Sequence, residues 1–339
     1  MHRNGRKDIV CARLVPITLL SIAVTVPIRA QEAQTTVPDD DITITVLTTN
    51  TADVGDFAGI TQGEWSFSAW VEVGARSFLF DTGWTPDNVL RNAQAMGIDL
   101  SVAEDVILSH NHADHTGGLE TLRRELSRTN PRALTRIHVA NGIFASRPGV
   151  DGEERNPMVA LRERLETLGS EFIVYDEPTE IAPGVWVTGP VPRVHDERNY
   201  PQGPNAVVIL DGVAVPDVIP ESQSLIVTGE SGPVMVSGCG HAGLINSLEY
   251  TREAITPLSP QAAIGGFHLF SATEETLSWT SELLADMQLK HFVGSHCTGF
   301  ESVYTIRELV GLGEDHAIVG AIGTRYEGET GIVPGQINR

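Results

Sequence analysis

Apolar and polar positions change period repeatedly along the 339-residue chain. The stretch "ITITVLTTN" (42–50) alternates β-branched residues and predicts a strand. "FSAWVEV" and "SFLFDTG" predict two more, joined by a turn around Gly74. "TPDNVLRNAQAMGI" then takes up a helical period at Val89, Leu90, Ala93 and Met96, with Pro86 near its start and Gly97 at its end. "DVILSH" reads as a short buried strand, "GGLETLRRELSR" as a helix on Leu119, Leu122 and Leu126, and "RIHVA" as another strand. The second half repeats this texture. "QSLIVTG" and "PVMVSG" are strand-like, "INSLEYTREAI" helical, "AAIGGF" a strand, "TEETLSWTSELLADM" a helix and "HFVGSH" a strand. Such alternation predicts an α/β layered fold. Residues 144–205 are rich in charge and proline and predict a loop-rich insertion over the core of a domain spanning 42–339.

Composition narrows the function classes. Apolar residues make up 41% and charged residues 20%, ordinary for a globular chain able to bury a core. The formal net charge is −21. A surface this acidic repels phosphate backbones and anionic lipid, so a nucleic-acid or membrane-surface partner is not expected.

The first thirty residues stand apart. Arg3, Arg6, Lys7 and Arg13 precede an apolar run from Leu14 to about Pro27, and Ile28 and Ala30 suit a cleavage site. This order predicts a secretory signal peptide over 1–30 rather than a stable membrane span, and hence a secreted or periplasmic protein. The polar stretch 31–41 predicts a disordered lead-in. Only Cys239 and Cys297 would remain in the mature chain, too few for a disulfide framework.

The chemistry is concentrated in "LSHNHADHTGGL" (108–119), which places His110, His112, Asp114 and His115 directly after a strand. Side chains two apart on an extended segment face the same way, so His110 and His112 can point at one ion. A turn then brings Asp114 and His115 to a second position. Imidazole and carboxylate donors suit zinc, manganese or iron. Later apolar runs end at His241, His268 and His296, each beside glycine, and "FLFDTG" ends in Asp81. Sites gather at strand ends in layered α/β folds. His138, His291 and His316 read as structural, and His195 as a solvated loop residue.

"FLFDTG", "LSHNHADHTGG" and the late histidine segments together resemble the metallo-β-lactamase superfamily. "SGCGHAGLIN", "IGGFHL", "GSHCTG" and "VGAIGTRYE" narrow the resemblance to its branch of dihydropterin-ribofuranosylaminobenzene-phosphate synthase-like proteins. The resemblance covers roughly 42–328. It implies a four-layer αβ/βα sandwich with one or two metal ions, Zn2+ first among them, at one edge of the sheets. Carried over, His110 and His112 hold the first ion, while Asp114, His115 and His296 hold the second. Asp81 orients a ligand from behind. Where many superfamily hydrolases carry a bridging aspartate, this chain has Gly238-Cys239-Gly240-His241. His241 is the choice for the remaining ligand and Cys239 the weaker candidate, placed behind the ligands.

These readings lead to an exported metal-dependent hydrolase, using a metal-activated water on an ester, lactone, amide or phosphoester of a small molecule. Asp114 would orient the nucleophile or carry its proton, and His268 would bind an oxyanion or protonate a leaving group. Two alternatives come from other classes. One is a pterin-related synthase or transferase acting on a phosphorylated substrate. The other is a non-hydrolytic iron-binding redox protein, which would need further iron or flavin ligands.

Overall fold

In the computed structural model, residues 35–53, 61–197 and 206–333 are described, and the expected signal peptide lies outside them. The first sheet begins with three antiparallel strands, β1 (Ile42–Thr48), β2 (Ser68–Val73) and β3 (Arg76–Phe80). Helix α1 (Asn88–Ala95) then leads to β4 (Asp105–Ile107), the short α2 (Ala113–Thr116), α3 (Leu119–Leu126) and β5 (Arg136–Ala140). After these come α4 (Pro157–Thr167) and β6 (Glu171–Tyr175). From β3 to β6 the strands run parallel.

The chain crosses to the second sheet through β7 (Thr179–Ala182) and β8 (Val185–Val187). A separate hairpin, β9 (Val207–Leu210) and β10 (Val213–Pro216), precedes β11 (Ser224–Gly229) and β12 (Gly232–Ser237). Then α5 (Leu244–Ala254), β13 (Ala262–Gly265), α6 (Glu274–Asp286), β14 (His291–Gly294), α7 (Phe300–Val310) and β15 (Ala317–Val319) alternate. Strands β12 to β15 are parallel. Finally β16 (Arg325–Glu327) and β17 (Gly331–Val333) return to the first sheet beside β1. Among the described residues the sheets have eight and seven strands, in the orders β17-β16-β1-β2-β3-β4-β5-β6 and β15-β14-β13-β12-β11-β8-β7.

Side-chain alternation explains the layering. In β3, Phe78 and Phe80 enter the core between the sheets, while Leu79 faces α1 and α3 on the outside. In β12, Val234 and Val236 enter the same inner core and Met235 meets the outer helices α5 to α7. A strand buried on both faces cannot show a polar face, which is why these strands read as continuous apolar runs. The result is the four-layer αβ/βα sandwich of the metallo-β-lactamase fold, with apolar cores above, between and below its sheets.

Two expectations are corrected. Residues 144–197, the described part of the expected insertion, do more than lie over the core. They supply α4, β6, β7 and β8, the edge of one sheet and two strands of the other. Their edge strands are short, charged and only partly buried, so they carry no strong periodicity. The lead-in is also ordered from residue 35 onward. Val37 bridges to Gly229, and the Asp39 carboxylate accepts from Ser231 Oγ at 2.5 Å.

The parallel strands β3 and β4 of one sheet, and β12, β13 and β14 of the other, end beside residues of one cluster: Asp81, His110, Cys239, His268 and His296. The packing that holds this edge is testable. Leu122 on α3 is fully buried against the first sheet. Leu122→Ala should lower unfolding free energy by about 2–5 kcal/mol in urea titrations of the metal-free chain.

Candidate metal centre

Three imidazoles form the first candidate ligand set. The donor atoms of His110, His112 and His241 lie within 4.8 Å of one another. His110 and His112 arrive from the end of β4, and His241 from the turn between β12 and α5. Ser109 Oγ lies 2.9 Å from His110 Nδ1, fixing that ring with Nε2 turned inward. His110 Nε2 is buried and has no hydrogen-bond partner among the described residues. A buried donor atom left this way costs free energy unless something is bound there. Arg193 donates to the carbonyl of His241 and anchors its turn.

A second set adjoins it. Donor atoms of Asp114, His115, Cys239 and His296 also lie within 4.8 Å of one another. Asp114 Oδ2 is 3.2 Å from His296 Nε2 and 3.6 Å from His115 Nε2. Cys239 Sγ is 3.2 Å from His115 Nε2. The rings of His110 and His115 connect the two sets at 4.4 Å between centroids.

Asp81 holds this arrangement from behind. Its fully buried carboxylate accepts from the Ser109 N–H, from Ser109 Oγ and from His115 Nδ1, each at 2.7 Å. That last bond fixes the His115 tautomer and presents Nε2 to the site. The end of β1 clamps His296 from the other side. Thr49 Oγ1 accepts from the His296 N–H, and Asn50 Nδ2 donates to its carbonyl, both at 3.0 Å. Asp81, His268 and His296 have φ of 52°, 49° and 48°, a left-handed backbone that non-glycine residues adopt at a cost. All three follow a strand and belong to the site, so the surrounding contacts sustain the strain.

The electrostatics suit a cation. Burial, reinforced by neighbouring imidazoles, pushes His110 and His241 well below the ordinary histidine value, so both are neutral donors. Burial likewise lowers His112 to about 4. Burial opposes charge on His115 too, but Asp114 and Asp81 outweigh it and lift it to about 9. Burial works against the charge of Asp114, yet His115 and His296 hold it below the usual carboxylate range. In the metal-free chain burial raises the Cys239 thiol, a direction that a bound cation reverses.

The residues singled out by sequence therefore converge. His110, His112, Asp114, His115, His241, His296 and Asp81 all lie at one centre. His268 lies beside it, 4.9 Å from His241 between ring centroids, and lines the cleft. His241, the choice for the remaining ligand, joins the first imidazole trio. One placement differs in detail. Cys239, expected behind the ligands, faces the second set with its sulfur. Spacing alone could not decide this, because a tight turn separates the two side chains. Ser109, Asn50 and Arg193 went unnoticed. Only Ser109, next to His110, carried any signal. His138 is structural as expected, bonded at 2.8 Å to both Tyr175 and Asp105. His195 is half-buried and lies 2.7 Å from Glu249.

Comparison with known proteins agrees with this geometry. Residues 66–141 match the model of the metallo-beta-lactamase superfamily. The chain has the fold of that superfamily. It is 29% identical over 264 residues to the 7,8-dihydropterin-6-methyl-4-(beta-D-ribofuranosyl)-aminobenzene-5'-phosphate synthase of Methanocaldococcus jannaschii, covering 73% of this chain and 86% of that one. Its fold matches Tm1679, a metal-dependent hydrolase of the beta-lactamase superfamily, at a TM-score of 0.66 and 24% identity, over 84% of this chain and 98% of that one. The metallo-beta-lactamase fold protein YhfI from Bacillus subtilis gives 0.52 at 12% identity, with the same coverage.

The two candidate ligand sets should separate by substitution. His110→Ala or His241→Ala should remove one metal equivalent, and Cys239→Ser should weaken the other. Asp81→Asn should cost about 10–100-fold in metal affinity. Elemental analysis and competition with a chromophoric chelator read these directly.

The chelated chain should also lose stability as pH falls below 6.5, because unfolded His112 takes up a proton that the folded residue refuses until about 4. His110 and His241 act in the same sense. Urea midpoints recorded between neutral pH and pH 5 should therefore decline. A flat profile would contradict the neutral-imidazole assignment.

Proposed function

We propose that this chain is a metal-dependent hydrolase of a small molecule, holding Zn2+ in one or both ligand sets. The observation that carries the reading is the neutral trio His110, His112 and His241 beside the Asp114, His115, Cys239 and His296 set, of which His112, Asp114, Cys239 and His296 line an open cleft of about 630 Å³. A divalent ion bound there would lower the pKa of a water towards neutrality and polarise the bond under attack.

The protein's own groups then have definite tasks. Asp114 is anionic and reaches towards the cleft, where it can orient the attacking water and accept its proton. His268 lines the cleft wall next to His241, placed to hold a developing oxyanion or to protonate a leaving group. The rim is aromatic. Trp65, Trp84 and Phe270 are each about half exposed there, and Trp65 packs edge-on against both His296 and Phe270. Such a rim favours a substrate with an apolar or planar part and keeps bulk water from the reacting bond. An ester, lactone, amide or phosphoester fits this chemistry.

The pterin-related synthase reading has one specific support, the 29%-identical relative of that name. Against it stands the basic start and apolar run of residues 1–30, from which we infer export to the periplasm or beyond. The strongly acidic chain argues for a small-molecule partner over nucleic acid.

A panel of ester, lactone, β-lactam and phosphoester substrates on zinc-loaded protein tests the proposal. Turnover of at least one class, abolished by chelation and by His110→Ala, is the expected outcome. No turnover of any class, with condensation of a pterin-type phosphorylated substrate instead, would overturn it. His268→Ala should lower kcat by about 10²–10³-fold with little change in metal content, if the residue stabilises charge in the transition state.

A further inference from the structure

Cys297 is the one polarisable group at this centre that the proposed mechanism does not use. Its Sγ lies 3.4 Å from Cys239 Sγ, and both thiols are free. The two residues follow β12 and β14, strands of one sheet separated by β13, so the sheet itself brings the sulfurs together. Closing to a disulfide requires an approach to about 2.05 Å, a movement of little more than an ångström. Access is unequal. Cys239 borders the cleft at 2% exposure, whereas Cys297 lies behind it at 0%. A Cβ on Gly266 would come within 3.0 Å of Cys297 Sγ, so a glycine leaves this sulfur its room.

We propose that Cys239 and Cys297 form a peroxide-sensitive thiol pair, whose closure to a disulfide withdraws the sulfur donor from the second ligand set. Cys239, reachable from the cleft, gives up its proton and attacks one oxygen of hydrogen peroxide as the thiolate. The O–O bond breaks, leaving a sulfenic acid on Cys239 and releasing water. The Cys297 sulfur then attacks the Cys239 sulfur, the S–O bond breaks, and the hydroxyl leaves as a second water. Two thiols are oxidised by two electrons, one peroxide is reduced, and both thiol protons end in water. A thiol–disulfide reagent reverses the change. A small oxidant fits the narrow approach to Cys239.

The consequence follows from Cys239 standing among Asp114, His115 and His296. A disulfide sulfur is a poor metal donor compared with a thiolate. Oxidation therefore leaves the trio of His110, His112 and His241 complete and the second set short of one ligand. Conversely, an ion held by Cys239 protects it, so metal loading slows oxidation. The pair acts as a switch and not as a folding staple, because three apolar cores already hold the sheets and helices together.

The gating clause rests on the metal-centre reading above, but the thiol chemistry is measured on chelated protein and stands or falls separately. Full-length chain carrying Cys11→Ser, so that Cys239 and Cys297 are its two thiols, is treated with hydrogen peroxide, with and without prior zinc loading. The expected result in the chelated arm is loss of both free thiols, a mass lower by two hydrogens and a cross-linked peptide joining Cys239 to Cys297, all reversed by dithiothreitol. Zinc loading should slow this. Zinc titration of the cross-linked protein should show the second equivalent binding at least about tenfold more weakly, while the first is unchanged. Cys297→Ser should give no cross-link and carry Cys239 on to a sulfinic acid that dithiothreitol does not reverse. Cys297→Ala serves in its place if the serine variant fails to fold by circular dichroism. Sulfinic acid on Cys239 without a cross-link in the chain that keeps Cys297 would overturn the pair. A cross-linked protein that binds its second zinc unchanged would overturn the gating.

Discussion

The Asp81 carboxylate is the constraint on which the rest of the centre depends. It is fully buried and accepts three hydrogen bonds at 2.7 Å, two from Ser109 and one from His115. Ser109 in turn fixes His110, so one carboxylate orients a residue of each ligand set. It also dictates a residue on the opposite sheet. A Cβ at Gly238 would meet Ser109 Oγ at 2.1 Å and Asp81 Oδ2 at 2.4 Å. The turn carrying Cys239 and His241 reaches the centre because residue 238 has no side chain. A buried polar group of this kind is costly alone and persists where both of its oxygens are hydrogen-bonded.

Architecture explains why such a polar cluster can sit in so apolar a molecule. The inner core between the sheets is built from Phe78, Phe80, Val234, Val236 and their neighbours, and it fixes how the two sheets face each other. Their parallel strands end at the same edge, where backbone geometry is free to depart from the sheet. Asp81, His268 and His296 take left-handed conformations there. Rigid strands on one side and capped turns on the other hold these side chains within ligand distance. That is preorganisation in the ordinary sense, since strands, turns and buried hydrogen bonds set where the donor atoms lie.

Sulfur gives the centre its individual character. A carboxylate at the bridging position would be indifferent to oxidants. Cys239 would not be, and with Cys297 at 3.4 Å the proposed pair would make the same atom both a donor and a redox-active group. The aromatic rim of Trp65, Trp84 and Phe270 governs what reaches it.

Much of this was legible in the sequence. Period-two and period-3.6 patterns predicted most of the strands and helices bearing the site, because those elements are buried on one or both faces and the burial writes the pattern. The His110 to His115 cluster signalled its chemistry because its donors come from one short segment. The α4–β8 region was not legible, since edge strands with exposed faces carry little periodicity. The partition of His241 and Cys239 between two ligand sets was not legible either. Nor were the support of His296 by Asn50 or the contact of Cys239 with Cys297. Those contacts span up to 246 positions along the chain. The Asn50–His296 contact exists because the two sheets pack face to face, and the Cys239–Cys297 contact because β13 sets β12 and β14 two strands apart in one sheet; separation in sequence gives no measure of either distance.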